Sequence, residues 1–277
     1  MRRISLLSLA VCALLGAQTA PAAQAATLSN GFERPAGGSA YTRAEWAKDG
    51  FASTFDVGMG NRTMIDTSVK RSGGKSLRLF YPAGKISPEN SGASADLAVP
   101  KAREYWLRQY VRFSPDFSWG GTEFGGKIGL GLAGGKRCSG GQACDGYNGF
   151  TVRFAWGRDG KAILYFYHMG KSGQYGDSFQ LNPGGLYSYP RGQWIELKMR
   201  VRVNTVSGST ANANGEVQTW VNGTPAGTRT GLQFVRNSDQ INFAYFSSFF
   251  GGATQSFAPT RNSYIWYDDV QVSTSPI

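Results

Sequence analysis

Apolar and polar side chains alternate strictly from Trp194 to Asn204, the clearest pattern in the chain. Successive side chains of a strand point to opposite faces of a sheet, so alternation predicts one buried face and one solvent-facing face. The apolar positions are Ile195, Leu197, Met199, Val201 and Val203, and the polar positions between them are Glu196, Lys198, Arg200 and Arg202. The segment is therefore predicted to be a half-buried β-strand.

Short runs rich in Val, Tyr, Phe, Trp and Thr recur along the chain between clusters of Gly, Asn, Asp and Ser, and helical periodicity is scarce. Further strands are predicted over Tyr105 to Phe113, Phe150 to Trp156, Ile163 to His168, Glu216 to Asn222, Ile241 to Phe249 and Ser263 to Val272. The Ser207 to Asn214 segment is predicted to be a flexible loop between strands. We expect an all-β fold, a single antiparallel β-sandwich of the jelly-roll kind, with one sheet presenting a polar concave face to a polymer.

The first 25 residues have the layout of a secretory signal peptide. Met1-Arg2-Arg3 precedes an apolar run from Ile4 to Ala17, and small residues follow up to Ala25. The apolar run is shorter than the about 20 residues that span a bilayer, and no later stretch is long enough, so we expect no membrane insertion. We predict a secreted monomer, extracellular or periplasmic, with one domain over residues 26–277.

The balance of charges points to an anionic partner. The chain has 29 Lys and Arg residues against 18 Asp and Glu residues, and removal of Arg2 and Arg3 leaves 27 basic residues. For an exported protein an acidic glycan is favoured over nucleic acid, and a basic pI that serves only solubility remains the alternative.

Cysteine and histidine are few. Cys12 lies within the predicted signal peptide, so Cys138 and Cys144 remain, and their proximity in a Gly-rich stretch of an exported protein predicts a local disulfide. The chain has one histidine, His168. With so few ligands to draw on, we expect no structural zinc, and no cofactor is predicted.

Two consecutive predicted strands, Phe150 to Trp156 and Ile163 to His168, are separated by a short linker. A three-residue hairpin loop Arg158-Asp159-Gly160, with Gly160 in the left-handed conformation, pairs Gly157 with Lys161. A loop of two or four residues sets outward positions of one strand against inward positions of the other, so parity favours the odd loop.

This register puts Arg153 opposite Tyr165 and Thr151 opposite Tyr167 on the outward face. His168 falls on the inward set, with the apolar positions of its strand. A guanidinium group is thus predicted to lie beside two phenols.

Such a group suits β-elimination on a uronic acid. Arg153 is the candidate for neutralising the carboxylate and stabilising the charge that develops when the C5 proton is removed. Tyr165 and Tyr167 are candidates for the base and for the acid that protonates the leaving oxygen. Lys127, in Gly125-Gly126-Lys127, is a further charge stabiliser or itself the base. Taken singly, each residue also suits an ordinary strand position.

Over Tyr105 to Val270 the sequence resembles polysaccharide lyase family 14, which includes alginate lyases and polyglucuronate lyases on a β-jelly-roll fold. The segments that carry the resemblance are Tyr110 to Phe117, Gly125-Gly126-Lys127, Arg153 to Trp156, Tyr165-Phe166-Tyr167, Gly192-Gln193-Trp194, Gly215 to Gly223 and Ser248 to Gly252. The resemblance implies a lyase whose cleft is lined by Lys127, Arg153, Tyr165 and Tyr167. It also implies a substrate-binding hydroxyl, which Thr151 supplies where the family has serine.

Two departures from the family pattern lie near this predicted cleft. The family usually has a proline and a shorter Gly-Leu segment where this chain has Ile128 to Leu132, and the Lys136 to Gly146 stretch is peculiar to this chain. They leave open the choice between alginate and glucuronan and between exo- and endo-action.

Two other functions compete with the lyase. A non-catalytic module that binds acidic glycans would use the same basic aromatic face. A glycoside hydrolase needs two facing carboxylates, and no Glu-x-Asp-x-Glu strand is present. Retention of all four candidate residues favours a polysaccharide lyase that cleaves a uronate-containing chain.

Overall fold

The computed structural model describes residues 27–277, and the predicted signal peptide lies outside the described residues. Strands dominate and form two large antiparallel sheets that pack face to face, which confirms the predicted all-β sandwich. The two helices are short: α1 spans Arg43–Lys48 and begins after the capping side chain of Thr42, and α2 spans Ser87–Asn90. Neither has the length or apolarity to cross a membrane in this part of the chain.

The first large sheet is flanked by a further strand, β1 (Thr27–Asn30), which pairs with β17. Its path runs in the order β15 (Thr224–Leu232), β14 (Gly215–Val221), β11 (Trp194–Arg202), β6 (Glu104–Phe113), β17 (Ser263–Ser273), β4 (Ser76–Tyr81) and β3 (Thr63–Asp66).

The second sheet has seven strands and carries every candidate site residue. Its order is β10 (Asp177–Gln180), β9 (Ala162–Tyr167), β8 (Phe150–Trp156), β7 (Gly126–Gly134), β16 (Ile241–Phe250), β5 (Ala93–Ala102) and β2 (Ser53–Val57). A small hairpin of β12 (Val206–Ser207) and β13 (Thr210–Ala211) overlaps the Ser207 to Asn214 segment, which was predicted to be a loop.

All seven strands predicted from the alternation are confirmed, with ends that differ by at most a few residues. In β6 and β11 every second residue is buried, because one face of the sheet packs on the core while the other meets solvent. Several strands were not predicted, β5 and β7 among them. Glycine and alanine make up much of both, and residues without a bulky side chain give no alternation to detect.

The core between the sheets is rich in aromatic rings near the start of β7. Trp156 packs edge-to-face against Phe117 and Phe250, with ring centroids 5.5 Å and 4.9 Å apart. A Cβ at Gly126 would lie 2.1 Å from the Trp156 ring, so only glycine lets this indole lie against the strand. The indole N–H donates to the Trp119 carbonyl at 3.0 Å. This packing fixes the strand end from which Lys127 projects.

Candidate catalytic site

The hairpin of β8 and β9 has the predicted register. Arg153 lies opposite Tyr165 and Thr151 lies opposite Tyr167. The loop Arg158–Gly160 forms a single 3₁₀ turn, closed by the Gly157 N–H, which donates to the Lys161 carbonyl at 2.9 Å. Gly160 has the expected positive φ, 76°, and the φ of Asp159 is also positive, at 55°. The sequence thus places the guanidinium beside the two phenols, as predicted.

The polar face of this hairpin is more deeply covered than an open sheet face. Thr151, Arg153 and Tyr167 are 0%, 4% and 1% exposed, whereas Tyr165 is partly exposed. Two segments lie over the face and bond to it, residues 136–146 and residues 168–177. The alternation of side chains along a strand assigns each residue to the correct face, but it carries no information about loops that cover that face.

Arg153 lies across a bulge in β7. Residues 129–131 of β7 stand opposite the single residue Arg153 of β8, and a Cβ at Gly131 would lie 2.8 Å from the Arg153 Cγ. The guanidinium carbon is 5.5 Å from the Tyr165 ring centroid and 5.8 Å from that of Tyr245. Its Nη1 donates to the Ser247 hydroxyl at 3.5 Å.

The charge of Arg153 has no counter-ion in the described residues. No ion pair within residues 27–277 involves it, and its Nε is buried without a hydrogen-bond partner there. Asp96, on β5 of the same sheet, pairs with Arg137. A buried charge without a partner is costly, so the site is arranged to receive an anionic group.

Buried polar side chains from the other sheet hold the β7 bulge. The Gln109 amide nitrogen donates to the Leu130 carbonyl at 2.9 Å, and the Leu130 N–H donates to the Gln109 amide oxygen at 2.8 Å. The Gly129 N–H donates to the Tyr267 hydroxyl at 3.1 Å. Gln109 is fully buried on β6, so one glutamine crosses the core to satisfy the irregular backbone under Arg153.

Lys127 projects from β7 onto the same face. Its Nζ lies 5.6 Å from the Tyr165 ring centroid and 5.3 Å from that of Phe249. Burial of the ammonium group, and secondly the charge of Arg153, lower the pKa of Lys127 to about 7. The residue as a whole is partly exposed, so its amine remains within reach of a ligand.

The two tyrosines are joined by a hydrogen bond. The Tyr165 hydroxyl donates to the Tyr167 hydroxyl at 3.2 Å, and the rings meet edge-to-face. Backbone amides approach both oxygens: the Gly176 N–H donates to Tyr165 at 3.1 Å and the Gly141 N–H to Tyr167 at 2.9 Å. Burial, and secondly the bond to Tyr167, raise the pKa of Tyr165. Tyr165 therefore holds its proton in mildly alkaline solution.

Thr151 was expected to offer its hydroxyl to the substrate, but the structure shows this hydroxyl bonded within the protein. Its hydroxyl donates to the Cys138 carbonyl at 3.2 Å, and the residue is fully buried beneath the segment 136–146. The structure therefore brings together Lys127, Arg153, Tyr165 and Tyr167, and places Thr151 behind them as an anchor for the covering segment.

Strand β16 supplies site residues that the sequence reasoning missed. Tyr245, Ser247 and Phe249 alternate along it and contact Arg153 or Lys127. The strand itself was predicted, and its alternation assigns these three to one face, but nothing in the sequence says that β16 pairs with β7. Gln109 gave a signal as well, because it is a polar residue at an inward position of β6.

The remaining features near the site are a disulfide and the histidine. Cys138 and Cys144 are bonded, which confirms the predicted local bridge. His168 packs on the Phe166 ring, as its inward assignment predicts, and its Nε2 lies 2.8 Å from the Asp177 carboxylate. Within residues 27–277, no three His, Cys, Asp or Glu side chains are grouped as a metal site would require.

Comparisons with known proteins agree with the geometry. A mutant of the alginate lyase Aly36B, in complex with alginate trisaccharide, is 29% identical, superposes with a TM-score of 0.75 and covers 90% of this chain and 98% of its own. The marine PL-14 alginate lyase from Aplysia kurodai, at 22% identity, has a TM-score of 0.69 over 86% of this chain and 98% of its own.

The endo-β-1,4-glucuronan lyase from Trichoderma reesei shares the fold at 12% identity, with a TM-score of 0.54 over 86% of this chain and 94% of its own. A search of curated protein sequences finds no significant match. The family model for polysaccharide lyase 14 matches residues 69–270, well over half of the chain. This protein is therefore a polysaccharide lyase and belongs to polysaccharide lyase family 14.

Proposed function

We propose that the enzyme cleaves a uronate-containing acidic polysaccharide, alginate or glucuronan, by β-elimination at the site formed by Lys127, Arg153, Tyr165 and Tyr167. The observation that carries the proposal is the buried guanidinium of Arg153, which has no acidic partner among residues 27–277 and is flanked by an amine of lowered pKa and a phenol of raised pKa. Groups whose pKa values are pushed apart are suited to be base and acid.

Arg153 is proposed to bind the carboxylate of the sugar whose C5 proton is removed. The negative charge of the intermediate is delocalised onto that carboxylate, so a fixed cation beside it stabilises the transition state more than the ground state. The guanidinium is already held by the rings of Tyr165 and Tyr245, so no reorganisation is needed when the charge develops.

Lys127 is proposed to be the base. An amine with a pKa of about 7 is largely neutral in mildly alkaline solution and can accept the C5 proton. Removal of the proton leaves an electron pair that forms the C4–C5 double bond, and the bond from C4 to the glycosidic oxygen breaks. The lysine then carries the proton as an ammonium ion until it returns it to water.

Tyr165 is proposed to be the acid. Its raised pKa keeps the hydroxyl protonated, and its partly exposed phenol lies between Lys127 and the buried Tyr167. Donation of this proton to the departing oxygen completes the elimination. The phenolate left on Tyr165 is stabilised by the Gly176 N–H, which already bonds to this oxygen.

Burial separates the roles of the two tyrosines, which the sequence treats alike. Tyr167 is 1% exposed and bonds to Tyr165. We propose that Tyr167 acts behind Tyr165: its hydroxyl holds the Tyr165 oxygen in place, and it turns to donate a hydrogen bond to that oxygen once the Tyr165 proton has been transferred. Thr151 is proposed to support the site from beneath the segment 136–146, through its bond to Cys138.

The proposed substrate class follows from charge and from the relatives. The structures of the Aly36B mutants hold alginate trisaccharide and tetrasaccharide, and the Trichoderma reesei relative is a glucuronan lyase. All these polymers carry a carboxylate on each sugar, which matches the unpaired Arg153. We further propose that the enzyme is secreted and acts as a monomer, in keeping with the leader predicted from the sequence and with the disulfide.

The test is to incubate the mature protein with alginate, glucuronan and neutral glycans, and to follow the ultraviolet absorbance of unsaturated uronate ends. Absorbance that grows with an acidic polymer and not with a neutral one is the expected result. New reducing ends without absorbance indicate hydrolysis, binding without any product indicates a glycan-binding module, and either result contradicts the proposal.

A further inference from the structure

The disulfide closes a short segment directly over the tyrosine pair. Cys138 and Cys144 are linked with their Cα atoms 5.8 Å apart, and between them the Gln142 N–H donates to the Ser139 carbonyl at 3.2 Å. The two central residues of this turn, Gly140 and Gly141, have φ angles of 62° and 83°. Such a turn needs glycine, because other residues rarely adopt two successive left-handed conformations.

This turn aims a backbone amide at the site. The Gly141 N–H donates to the Tyr167 hydroxyl at 2.9 Å, and the Tyr165 hydroxyl donates to the same oxygen at 3.2 Å. At its other end the segment is attached to β8, because the Cys138 carbonyl accepts the Thr151 hydroxyl at 3.2 Å. The Cys138–Cys144 segment thus bonds to the two strands that carry Arg153 and Tyr165.

A second contact links the same segment to Tyr165. A Cβ built on Gly141 would lie 3.5 Å from both Gln174 and Tyr175, so the turn lies against the segment 168–177. That segment holds Gly176, whose N–H donates to the Tyr165 hydroxyl. The disulfide-closed turn thus supplies one of the two backbone amides that reach the tyrosine pair, and it lies beside the segment that supplies the other.

We propose that the segment Cys138–Cys144 is a positioning element for the acid of the reaction. Through the Gly141 amide it fixes the Tyr167 hydroxyl, and the hydrogen bond between the two hydroxyls fixes the position of the Tyr165 oxygen, whose proton passes to the leaving oxygen when substrate is bound. The inference rests on the proposed role of Tyr165. The residues of the segment do not touch the reacting atoms, and their effect passes through Tyr167.

The disulfide is the part of the segment that makes this positioning hold. Glycine has more backbone freedom than any other residue type, so Gly140 and Gly141 would sample many conformations in an open chain. The cross-link between Cys138 and Cys144, six residues apart, restricts these conformations. Without the cross-link the amide leaves Tyr167 for part of the time. Tyr165 is then positioned correctly in fewer molecules, which lowers kcat, whereas Arg153, which binds the substrate carboxylate, is unchanged.

The experiment compares the enzyme with the disulfide intact, reduced and removed. Dithiothreitol adds two electrons and two protons to the Cys138–Cys144 bond, giving two thiols while its own thiols form a disulfide. A Cys138→Ser/Cys144→Ser variant gives the same state without a reductant. We expect kcat to fall about tenfold in both forms and KM to stay within about twofold, since general acid catalysis is worth at least that much. Reoxidation restores kcat.

Two further proteins separate positioning from a general loss of structure. Ser139→Ala keeps the disulfide and the Gly141 amide, and its kcat should equal that of the wild type. Tyr167→Phe removes the hydroxyl through which the segment acts. We expect this variant to keep measurable turnover, and expect reduction of its disulfide to lower kcat no further.

Several results overturn the inference. One is an unchanged kcat after complete reduction, verified by thiol counting, in protein that remains folded by circular dichroism. A second is a change on reduction that appears only in KM, and a third is a further fall in kcat when the disulfide of the Tyr167→Phe variant is reduced. A fourth is a Tyr167→Phe enzyme without turnover, which would show that Tyr167 takes part in the chemistry itself. The wild-type assay decides the proposed function separately, because unsaturated products from the intact enzyme establish elimination whatever reduction does.

Discussion

At the residue scale, the charge of Arg153 acts on the neighbouring Lys127. Arg153 and Lys127 lie on neighbouring strands and face the same ring of Tyr165, and the charge of Arg153 adds to burial in lowering the pKa of Lys127 to about 7. In the proposed mechanism one arginine thus has two effects: it binds the carboxylate, and it lowers the pKa of the lysine that acts as the base.

The first prediction concerns the pH dependence of activity. The base must be neutral, so kcat/KM should rise with pH through a pKa of about 7 and level off above it. Replacing Arg153 with Gln removes a positive neighbour and should raise the pKa of Lys127, which an NMR titration of its side chain measures without requiring turnover. A lysine that titrates near its ordinary value in the wild type would contradict the assignment.

The second prediction concerns the cost of Lys127 to stability. Its pKa is lower in the folded state than in the unfolded state, so the unfolded chain binds more protons between the two values and the free energy of unfolding rises with pH across that window. The cost is fully present below the folded pKa. Lys127→Met removes the buried ammonium, and it should abolish turnover while raising the melting temperature.

Denaturant unfolding checks the sign of this effect. The gain in unfolding free energy from Lys127→Met should be larger at about pH 6 than at about pH 10, because the wild-type penalty fades as the unfolded lysine also loses its proton. Lys161→Met is the control, since this lysine is exposed and its replacement should give no such difference. An equal gain at both pH values would show that charge burial is not the cause.

At the element scale, the bulge in β7 makes the site possible. A regular strand would present a side chain under Arg153, where Gly131 leaves room, and the irregular backbone that results is bonded by Gln109 and Tyr267 from the opposite sheet. The sequence showed this stretch only as a departure from the family pattern. In the structure, the extra residues of this stretch form the bulge that makes room for the Arg153 guanidinium.

The third prediction tests the support of this bulge. Gln109→Leu leaves the N–H and the carbonyl of Leu130 buried without partners, which should lower the free energy of unfolding by about 2–4 kcal/mol. Arg153 loses its fixed seat, so kcat should fall as well. Gln271→Leu on the outer face of the neighbouring strand β17 serves as the matched control, with a change of less than about 1 kcal/mol expected. Equal effects of the two substitutions would refute the special role of Gln109.

At the scale of the whole molecule, the candidate site residues all lie on one of the two sheets of the sandwich. The first sheet carries its ion pairs on its outer face, as in the bonds of Arg200 to Glu104 and Glu216. The second sheet holds Lys127 and Arg153, neither of which takes part in an ion pair within residues 27–277, and the segments that cover them. The excess of 29 basic over 18 acidic residues in the chain adds a long-range attraction for a polyanion.

The fourth prediction follows from this net charge. Charges separated by more than about 8 Å are screened at physiological ionic strength, so added salt should raise KM for a long uronate polymer more than KM for a short oligosaccharide, which contacts only the site. The value of kcat should change little, because the buried groups are shielded from salt. Steady-state kinetics over a series of salt concentrations tests this, and an equal rise in KM for both substrates would argue against long-range attraction.

Local rules were sufficient for the part of the site that two adjacent strands build. The alternation of β8 and β9 and the odd loop between them decide that Arg153 faces Tyr165 and Thr151 faces Tyr167, because side-chain parity and hairpin geometry depend only on neighbours in the chain. The same holds for the disulfide, whose cysteines are six residues apart. The resemblance of Gly125-Gly126-Lys127 to the family added the lysine.

What only the tertiary structure decided are contacts between residues far apart in sequence. Gln109 beneath Leu130, β16 beside β7, and the segments that cover the polar face all depend on how distant strands pair and pack, and no periodicity encodes these partners. The sequence by itself therefore determined which groups share a strand face. Packing decided which are buried, and so gave the basic, tyrosine-bearing face a lysine of lowered pKa, a Tyr165 of raised pKa and an arginine without an ion pair among residues 27–277.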